Sequence, residues 1–272
     1  MISPDTSQDP AAAIETVERK AIARDDLNRL PIRAYEGPIR LVNDREEVAE
    51  CVALLRRESI IGFDTETRPA FQRGVSYPPA LIQLATTNEV FVFQFHALGG
   101  LGALREVLED PAITKAGVAI SDDIKQLNDA WAFKPRNFIE IGTMAKELGY
   151  EQTGLRSLAG LLLGFRISKR EQRSNWARAS LTRSQIVYAA TDAWVSRELY
   201  LHINGLWGDR PLPAEVDPLT PDPNRKPRPA GRKSRSPRSA RKPGKTQTLT
   251  GHTPELPGMT WTEPASGEAL SP

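Results

Sequence analysis

Cysteine, histidine and long apolar runs are scarce in this sequence of 272 residues. Cys51 is the single cysteine, which excludes an intrachain disulfide and predicts a reducing compartment. With only three histidines beside it, the chain also lacks the usual ligands of a zinc site. No run of about 18 apolar residues occurs, and the first thirty residues lack the apolar segment of a signal peptide. The sequence therefore predicts a cytoplasmic protein without a membrane segment.

The composition changes sharply near Gly208. From there to Pro272 the chain holds 13 of its 22 prolines, and its few large apolar residues lack helix or strand spacing. Such a segment cannot bury enough apolar surface to offset its ordering entropy, so residues 207–272 are predicted to be a disordered tail rich in Pro, Arg and Lys. Within it, Arg225–Lys245 carries ten Lys and Arg and no acid. Subtracting this +10 from the net charge of +2 leaves −8 for the remaining residues.

The preceding part has the pattern of a mixed α/β protein. Residues 1–36 are predicted to form an N-terminal helical extension with a helix over 9–27, followed by a domain over 37–206. The apolar patterns predict strands at 39–42, 59–66, 80–86, 89–95, 113–120 and 138–141. They predict helices at 45–57, 99–109, 122–132, 142–149, 154–163 and 182–201. Three antiparallel strands followed by strand–helix–strand units predict a mixed sheet with helices on both faces.

The stretch GFDTET at residues 62–67 ends a buried strand with two acids. A strand alternates its side chains with period 2, so Asp64 and Glu66 emerge on one face, side by side. Two like charges held there raise each other's pKa unless they share a cation. The motif therefore points to a bound cation.

A second pair of acids, Asp122 and Asp123, opens a later helix. The run Gly117–Ile120 is predicted to be a buried strand, and Ser121 is predicted to cap the helix that follows. Taken alone, the two aspartates are explained without a bound metal, because the positive end of the helix dipole stabilises acids in the first turn.

A third acid, Asp192, lies on a helix that is apolar nearly all round. A capping box of Thr182 and Gln185 begins this helix, and Tyr188 stands four residues before Asp192 on the same face. An aspartate in such a helix needs a partner. In isolation, that partner is explained equally by the tyrosine, by backbone or by a cation.

Taken in order, these acids and the tyrosine resemble the DEDDy type of 3′–5′ exonuclease domain found in ribonuclease D and Werner helicase, within the RNase H-like superfamily. The resemblance extends to GFDTETRPAF, ALIQLAT, LRSLAGLLLGF and SNWARASLTRSQIVYAATDAW, and covers roughly Gly37 to Leu206. It implies an RNase H-like sheet flanked by helices. It also implies an enzyme that hydrolyses phosphodiester bonds of DNA or RNA from the 3′ end.

The resemblance assigns roles to individual residues. Two divalent ions, Mg²⁺ or Mn²⁺, would be held by four acids: Asp64, Glu66, Asp123 and Asp192. Tyr188 would orient the attacking water. Asp123 fits better than Asp122 because the family places a leucine four residues after this acid, and Leu127 stands there. Ribonuclease D carries a helical nucleic-acid-binding module after this domain, whereas only the low-complexity tail follows here, so the same substrate choice is not implied.

Nucleic acid is the expected partner, and its contacts are predicted from weaker signals. Phe71 and Gln72 follow the first acidic motif, and Lys169, Arg170 and Arg173 precede the SNW segment. A solvated surface explains these cations equally well. The stretch 225–245 is a candidate non-specific phosphate contact, with a charge run that aids solubility as its alternative. Trp176 and Trp194 are expected in the core rather than as stacking platforms for bases.

The alternative to an enzyme is a catalytically silent nucleic-acid-binding or scaffold protein on the same fold. Loss of any one acid would favour that alternative. All four acids and the tyrosine are present, which favours the enzyme.

Overall fold

One mixed sheet organises the protein in the computed structural model, which describes residues 20–72 and 75–216. Its strands are β1 (Ile39–Val42), β2 (Ile60–Thr67), β3 (Pro79–Ala85), β4 (Val90–Gln94), β5 (Thr114–Gly117) and β6 (Phe138–Glu140). The spatial order is β1-β4-β3-β2-β5-β6. Strands β2, β3 and β4 are antiparallel neighbours, while β1 pairs parallel with β4, β5 with β2, and β6 with β5. This confirms the predicted sheet of three antiparallel strands with parallel additions.

Eight α-helices connect and cover these strands in the described part of the chain. They are α1 (Arg24–Arg29), α2 (Arg45–Leu55), α3 (Phe95–Leu98), α4 (Arg105–Leu108), α5 (Ser121–Ala130), α6 (Ile141–Glu147), α7 (Leu155–Leu158) and α8 (Arg183–Trp207). A 3₁₀ turn (Gly102–Leu104) precedes α4, and a π-helical turn (Ala159–Leu163) follows α7. None of the helices in the described ranges has the length and apolar character to cross a membrane.

The two faces of the sheet bury different cores because side chains alternate along each strand. On one face, Phe63, Phe91 and Phe93 pack with apolar residues of α2, α4 and α5. On the other face, Leu81, Ala85, Val90 and Val92 lie under Trp176 and the alanines of α8. The predicted placement of helices on both faces is therefore confirmed.

Three predicted helices differ from the structure, and the one expected over 154–163 is α-helical only at Leu155–Leu158 before the π-helical turn. The first part of the predicted helix over 9–27, up to residue 19, lies outside the described residues. Residues 20–23 are not helical, and α1 runs from Arg24 to Arg29. The predicted helix over 99–109 is interrupted, because Gly99, Gly100 and Gly102 all have positive φ. A right-handed helix cannot continue through such residues, so only Arg105–Leu108 is α-helical there.

The last helix ends later than the predicted residue 201. Helix α8 continues to Trp207, because Ile203 and Trp207 extend its buried stripe beyond residue 201. After it, the backbone N–H of Val216 donates to the carbonyl of Phe138 on β6. The rest of the predicted tail, from residue 217 onward and including Arg225–Lys245, lies outside the described residues.

Candidate active site

Asp64 and Glu66 lie on β2, in the part of this strand that pairs with β3 but no longer with β5. Strand β5 pairs only with Ile60–Gly62, so β2 extends beyond that partner before it reaches the two acids. Their positions two residues apart place both side chains on the face that α8 covers. Both are half-buried. The strand thus holds two carboxylates side by side at the border of the core, as the sequence predicted.

Helix α8 brings Asp192 to these acids because it lies very close to β2. The helix begins with the predicted capping box of Thr182 and Gln185. A Cβ added at Gly62 would stand 2.0 Å from the carbonyl oxygen of Ala193, so only glycine permits this approach. As a result, one carboxylate oxygen each of Asp64, Glu66 and Asp192 lie within 4.8 Å of one another. We refer to these three residues as the acidic cluster.

Asp123 stands beside the acidic cluster rather than within it. Its Oδ1 accepts a hydrogen bond of 2.5 Å from the hydroxyl of Thr65, which lies on β2 between the two acids and points to the opposite face. It is still close enough to raise the pKa values of Asp64 and Glu66. Asp122 is exposed, whereas Asp123 is partly buried. The structure therefore places Asp123, not Asp122, next to the site.

The turn that leads to Asp123 differs from its prediction. The strand expected to reach Ile120 ends at Gly117, because Ala119 adopts a φ of 61°. Ile120 is the N-cap of α5 and its side chain makes no capping hydrogen bond, so Ser121 is not the cap that was expected.

Glu140 holds this turn in place and was missed in the sequence. Its carboxylate accepts hydrogen bonds from the backbone N–H groups of Ala119, Ile120 and Gly142, at 2.8, 2.8 and 2.9 Å. The residue is buried, with 8% exposure. A charged residue inside the apolar run Phe-Ile-Glu-Ile was the available signal, since a buried carboxylate requires such partners. Glu140 fixes the start of α5 and thereby the position of Asp123.

Burial raises the pKa values of all four acids, and repulsion from other members of this set adds to the rise at Asp64 and Glu66. Burial is the largest cause for each of them. It raises the pKa of Glu66 to about 10, with added repulsion from Asp64, and the pKa values of Asp123 and Asp192 to about 7. The pKa of Asp64 lies well above its usual range for the same reasons, with Asp192 as its strongest neighbour. Four acids that resist ionisation at one place require compensating positive charge.

The donor atoms at this place fit a divalent cation. Oδ1 of Asp192 is buried and has no hydrogen-bond partner among the described residues. The acidic cluster offers carboxylate oxygens alone, and such hard donors suit Mg²⁺ and Mn²⁺. The site is therefore compatible with divalent metal binding.

Tyr188 adds a neutral hydrogen-bonding group to the cluster. Its hydroxyl lies near the carboxylate of Asp192, one helical turn away, and this neighbour lowers the Asp192 pKa against the effect of burial. Burial first, and then the nearby carboxylates, raise the pKa of Tyr188 far above its usual value. The phenol consequently keeps its proton over the whole physiological range and can act only as a neutral hydrogen-bonding group. The buried indole of Trp176 packs against it at 5.8 Å between ring centres, in the core position that was predicted for Trp176.

The candidate nucleic-acid contacts lie in two separate places. Phe71 is 78% exposed and borders a cavity of about 310 Å³ together with Gln72, Arg68 and Tyr77. The sequence prediction did not include Arg68 and Tyr77, whose guanidinium and ring lie 4.7 Å apart. A cation and an aromatic residue soon after the acidic motif were the available signal.

The second place is the cationic stretch before the SNW segment. Lys169, Arg170 and Arg173 are all exposed. Arg170 borders a cavity of about 160 Å³ that Tyr188 and Asp192 also line. The structure thus brings Arg170 next to the acidic cluster, while for Lys169 and Arg173 it shows exposure alone.

Comparison with known proteins finds similarity to exonucleases and ribonucleases. A sequence model of the 3′–5′ exonuclease family matches residues 39–206. The human exonuclease mut-7 homolog is 28% identical over 176 residues, which span 54% of this chain and 20% of that protein. Ribonuclease D of Acidiphilium cryptum (strain JF-5) is 31% identical over 174 residues, spanning 62% of this chain and 43% of the relative. This chain thus matches less than half the length of either relative.

A solved structure agrees with these sequence matches. The crystal structure of the Aedes aegypti Nibbler EXO domain superimposes with a TM-score of 0.59 at 25% identity, covering 65% of this chain and 92% of that one. The strand order and flanking helices match the RNase H-like fold that the sequence motifs implied.

Proposed function

Because the chain belongs to the 3′–5′ exonuclease family, we propose that it hydrolyses phosphodiester bonds of DNA or RNA from the 3′ end, with two divalent ions, Mg²⁺ or Mn²⁺. The observation that carries this proposal is the acidic cluster, three carboxylates within 4.8 Å of one another on a family-matched fold. Nothing in ordinary packing explains three acids gathered on one border of a core.

The residues of the site divide the chemistry among them. Asp64, Glu66 and Asp192 would hold the ions, with Asp123 as the fourth acid beside them. Two divalent ions, when bound, supply positive charge that stabilises the attacking and the leaving oxygen of the phosphodiester. Tyr188 would orient the attacking water, because its hydroxyl stays neutral and it lines the same cavity as Asp192. This chemistry requires no covalent nucleophile from the protein.

The substrate contacts and the domain limits belong to the same proposal. Phe71 and Gln72 would border the terminal nucleotide, and Lys169 and Arg173 would contact phosphates. The proposed division is an N-terminal extension over 1–36, the exonuclease domain over 37–206 and a tail over 207–272. Arg225–Lys245 stays a predicted non-specific phosphate contact, supported by its ten positive charges against −8 elsewhere.

The direct test is a matched panel of 5′-labelled DNA and RNA, single-stranded and duplex, incubated with Mg²⁺ or Mn²⁺. The proposal predicts products that shorten stepwise from the 3′ end, and no products when a chelator removes the ions. Binding of the same substrates without any shortening would instead support the silent nucleic-acid-binding alternative.

A further inference from the structure

Gln83 is a fully buried polar residue next to the acidic cluster. It lies on β3 directly opposite Asp64 of β2, and residues paired in this way share a face of the sheet. Its exposure is 0%. Neither Nε2 nor Oε1 of its carboxamide has a hydrogen-bond partner among the described residues. A buried amide left in that state lowers the stability of the folded protein, so core packing does not explain the glutamine.

The surroundings of Gln83 would suit an apolar side chain better. Leu81 and Ala85 flank it on the same face of β3, and Val92 stands opposite on β4. All three are fully buried in the cluster that packs under α8. Leucine or methionine at position 83 would fill this space and leave no buried polar atom without a hydrogen bond. The carboxamide therefore points to a partner other than its apolar neighbours.

Asp64 is the group that this carboxamide can reach. The Cβ atoms of directly opposed residues in an antiparallel pair lie about 5 Å apart, which the side chain of a glutamine spans. We propose that Gln83 is a positioning residue for the metal site, whose Nε2 donates a hydrogen bond to the Asp64 carboxylate once that carboxylate holds a cation. This inference rests on the proposed function, because it assumes that Asp64 is a metal ligand.

The hydrogen bond would fix which oxygen of Asp64 faces the cation. Groups that orient metal ligands in this way change metal affinity or activity by about 10–100-fold when they are removed. Gln83 would also be paired only in the metal-bound protein. Gln83 would then lower the stability of the metal-free protein and would add a hydrogen bond to the metal-bound protein.

Two substitutions, Gln83→Leu and Gln83→Met, remove the carboxamide and nearly keep its volume. We expect Mn²⁺ affinity, measured by calorimetry on the full chain without nucleic acid, to fall about 10–100-fold. We expect kcat to fall with it while KM stays near the wild-type value. The Tm of the metal-free protein should stay level or rise, because two unpaired polar atoms are removed from the core.

Gln94→Leu is the matched control. Gln94 is a second buried glutamine of the same face, two strands from β2, and its Nε2 donates to the carbonyl of Arg178 at 2.8 Å. This variant should lower the metal-free Tm and keep Mn²⁺ affinity.

Two results would overturn the role of Gln83. One is Mn²⁺ affinity and kcat within about two-fold of wild type. The other is a metal-free Tm that falls as far as in Gln94→Leu, since Gln83 would then be bonded within the core. The Mn²⁺ titration needs no catalysis, so it decides the role of Gln83 even if the wild-type protein leaves every nucleic acid intact, a result that would refute the proposed function separately.

Discussion

Single residues of the acidic cluster act against the stability of the protein that carries them. Asp64, Glu66 and Asp192 are drawn out of water and placed within 4.8 Å of one another. Burial raises the pKa of each of them, and repulsion from neighbouring carboxylates adds to the rise at Asp64 and Glu66. Such an arrangement is typical of sites whose ligand supplies the missing charge. The proposed ions are that ligand here.

Tyr188→Phe tests the proposed role of the phenol. The substitution removes one hydroxyl and keeps the ring that packs on Trp176, so the fold should be unchanged. We expect kcat to fall by about 10²–10⁴-fold, the usual range for a group that positions or moves a proton, while Mn²⁺ affinity in calorimetry stays close to wild type. A variant that no longer binds Mn²⁺ would mean that Tyr188 shapes the site itself.

Asp123→Asn and Asp122→Asn form a pair that identifies the fourth acid. Asp123 accepts a hydrogen bond from Thr65 beside the cluster, whereas Asp122 is exposed. Loss of the charge at Asp123 should lower kcat by at least about 100-fold. Loss at Asp122 should change kcat by less than about three-fold, and equal or reversed effects in parallel rate measurements would refute the assignment.

The sequence alone predicted those site residues that lie near one another in the chain. Strand alternation places Asp64 beside Glu66, and helical spacing places Tyr188 beside Asp192. That Asp192 meets Asp64 depends on tertiary packing, and only the resemblance to a family indicated it. Glu140 was missed because two of its three partners, Ala119 and Ile120, lie 21 and 20 residues earlier in the chain, beyond any local period.

At the scale of elements, the contact between α8 and β2 determines the geometry of the site. Alanines at 189, 190 and 193 give the helix a shallow face toward the sheet. Gly62 has no side chain, so β2 can approach the backbone of α8 closely at this position. Small residues on both elements therefore set the depth at which Asp192 lies.

Gly62→Ala should separate these two elements. Its Cβ would meet the Ala193 carbonyl at 2.0 Å and the Arg197 backbone N at 2.8 Å, so α8 must move. We expect a loss of about 1–3 kcal/mol in the free energy of unfolding, together with a lower kcat as Asp192 withdraws. Urea denaturation and rate measurements on the same preparation check both effects.

Gly205→Ala is the control for that substitution. It lies in the same helix, and an added Cβ there meets nothing within 4 Å. Alanine is a better helix former than glycine, so this variant should gain up to about 1 kcal/mol with unchanged kcat. A Gly62→Ala variant as stable and active as wild type would refute the close packing of α8 on β2.

Strands and helices with regular apolar periods were predicted more closely than segments whose ends depend on special backbone angles. Strands β1 to β4 and helix α2 begin and end within two residues of their predicted limits. The helix expected over 99–109 fails at glycines with positive φ, which a sequence permits but does not reveal. The strand expected to end at Ile120 stops early because Ala119, a non-glycine residue, also has positive φ.

At the scale of the whole molecule, the raised pKa values predict how stability depends on pH. The folded pKa values, about 7 for Asp192 and about 10 for Glu66, exceed those of ordinary unfolded acids. The folded protein therefore holds protons that the unfolded chain releases. This contribution to stability is complete below the unfolded pKa, near pH 4, and it disappears as pH rises through about 7 to 10.

The Tm of the metal-free protein should accordingly fall between about pH 5 and pH 9. Added Mn²⁺ should raise the Tm more at the higher pH, because bound ions replace the lost protons. Buried Lys115, whose pKa burial lowers to about 8, has the opposite pH dependence. The Tm of wild type should therefore be compared, by scanning calorimetry across this pH range, with the Tm of a Glu66→Gln variant. The Tm of the variant should fall less steeply with pH. Identical slopes of Tm against pH would contradict the prediction.

Metal-dependent exonuclease activity at the acidic cluster is tested most directly by the rate at which a 5′-labelled oligonucleotide shortens from its 3′ end in Mg²⁺, for wild type and Asp192→Ala side by side. The substitution removes one member of the acidic cluster together with its buried, unpartnered oxygen, so metal-free stability should not fall. We predict stepwise 3′ shortening by wild type and a loss of at least about 10³-fold in Asp192→Ala. Equal rates for the two proteins, in preparations free of host nucleases, would show that the acidic cluster is not the catalytic site.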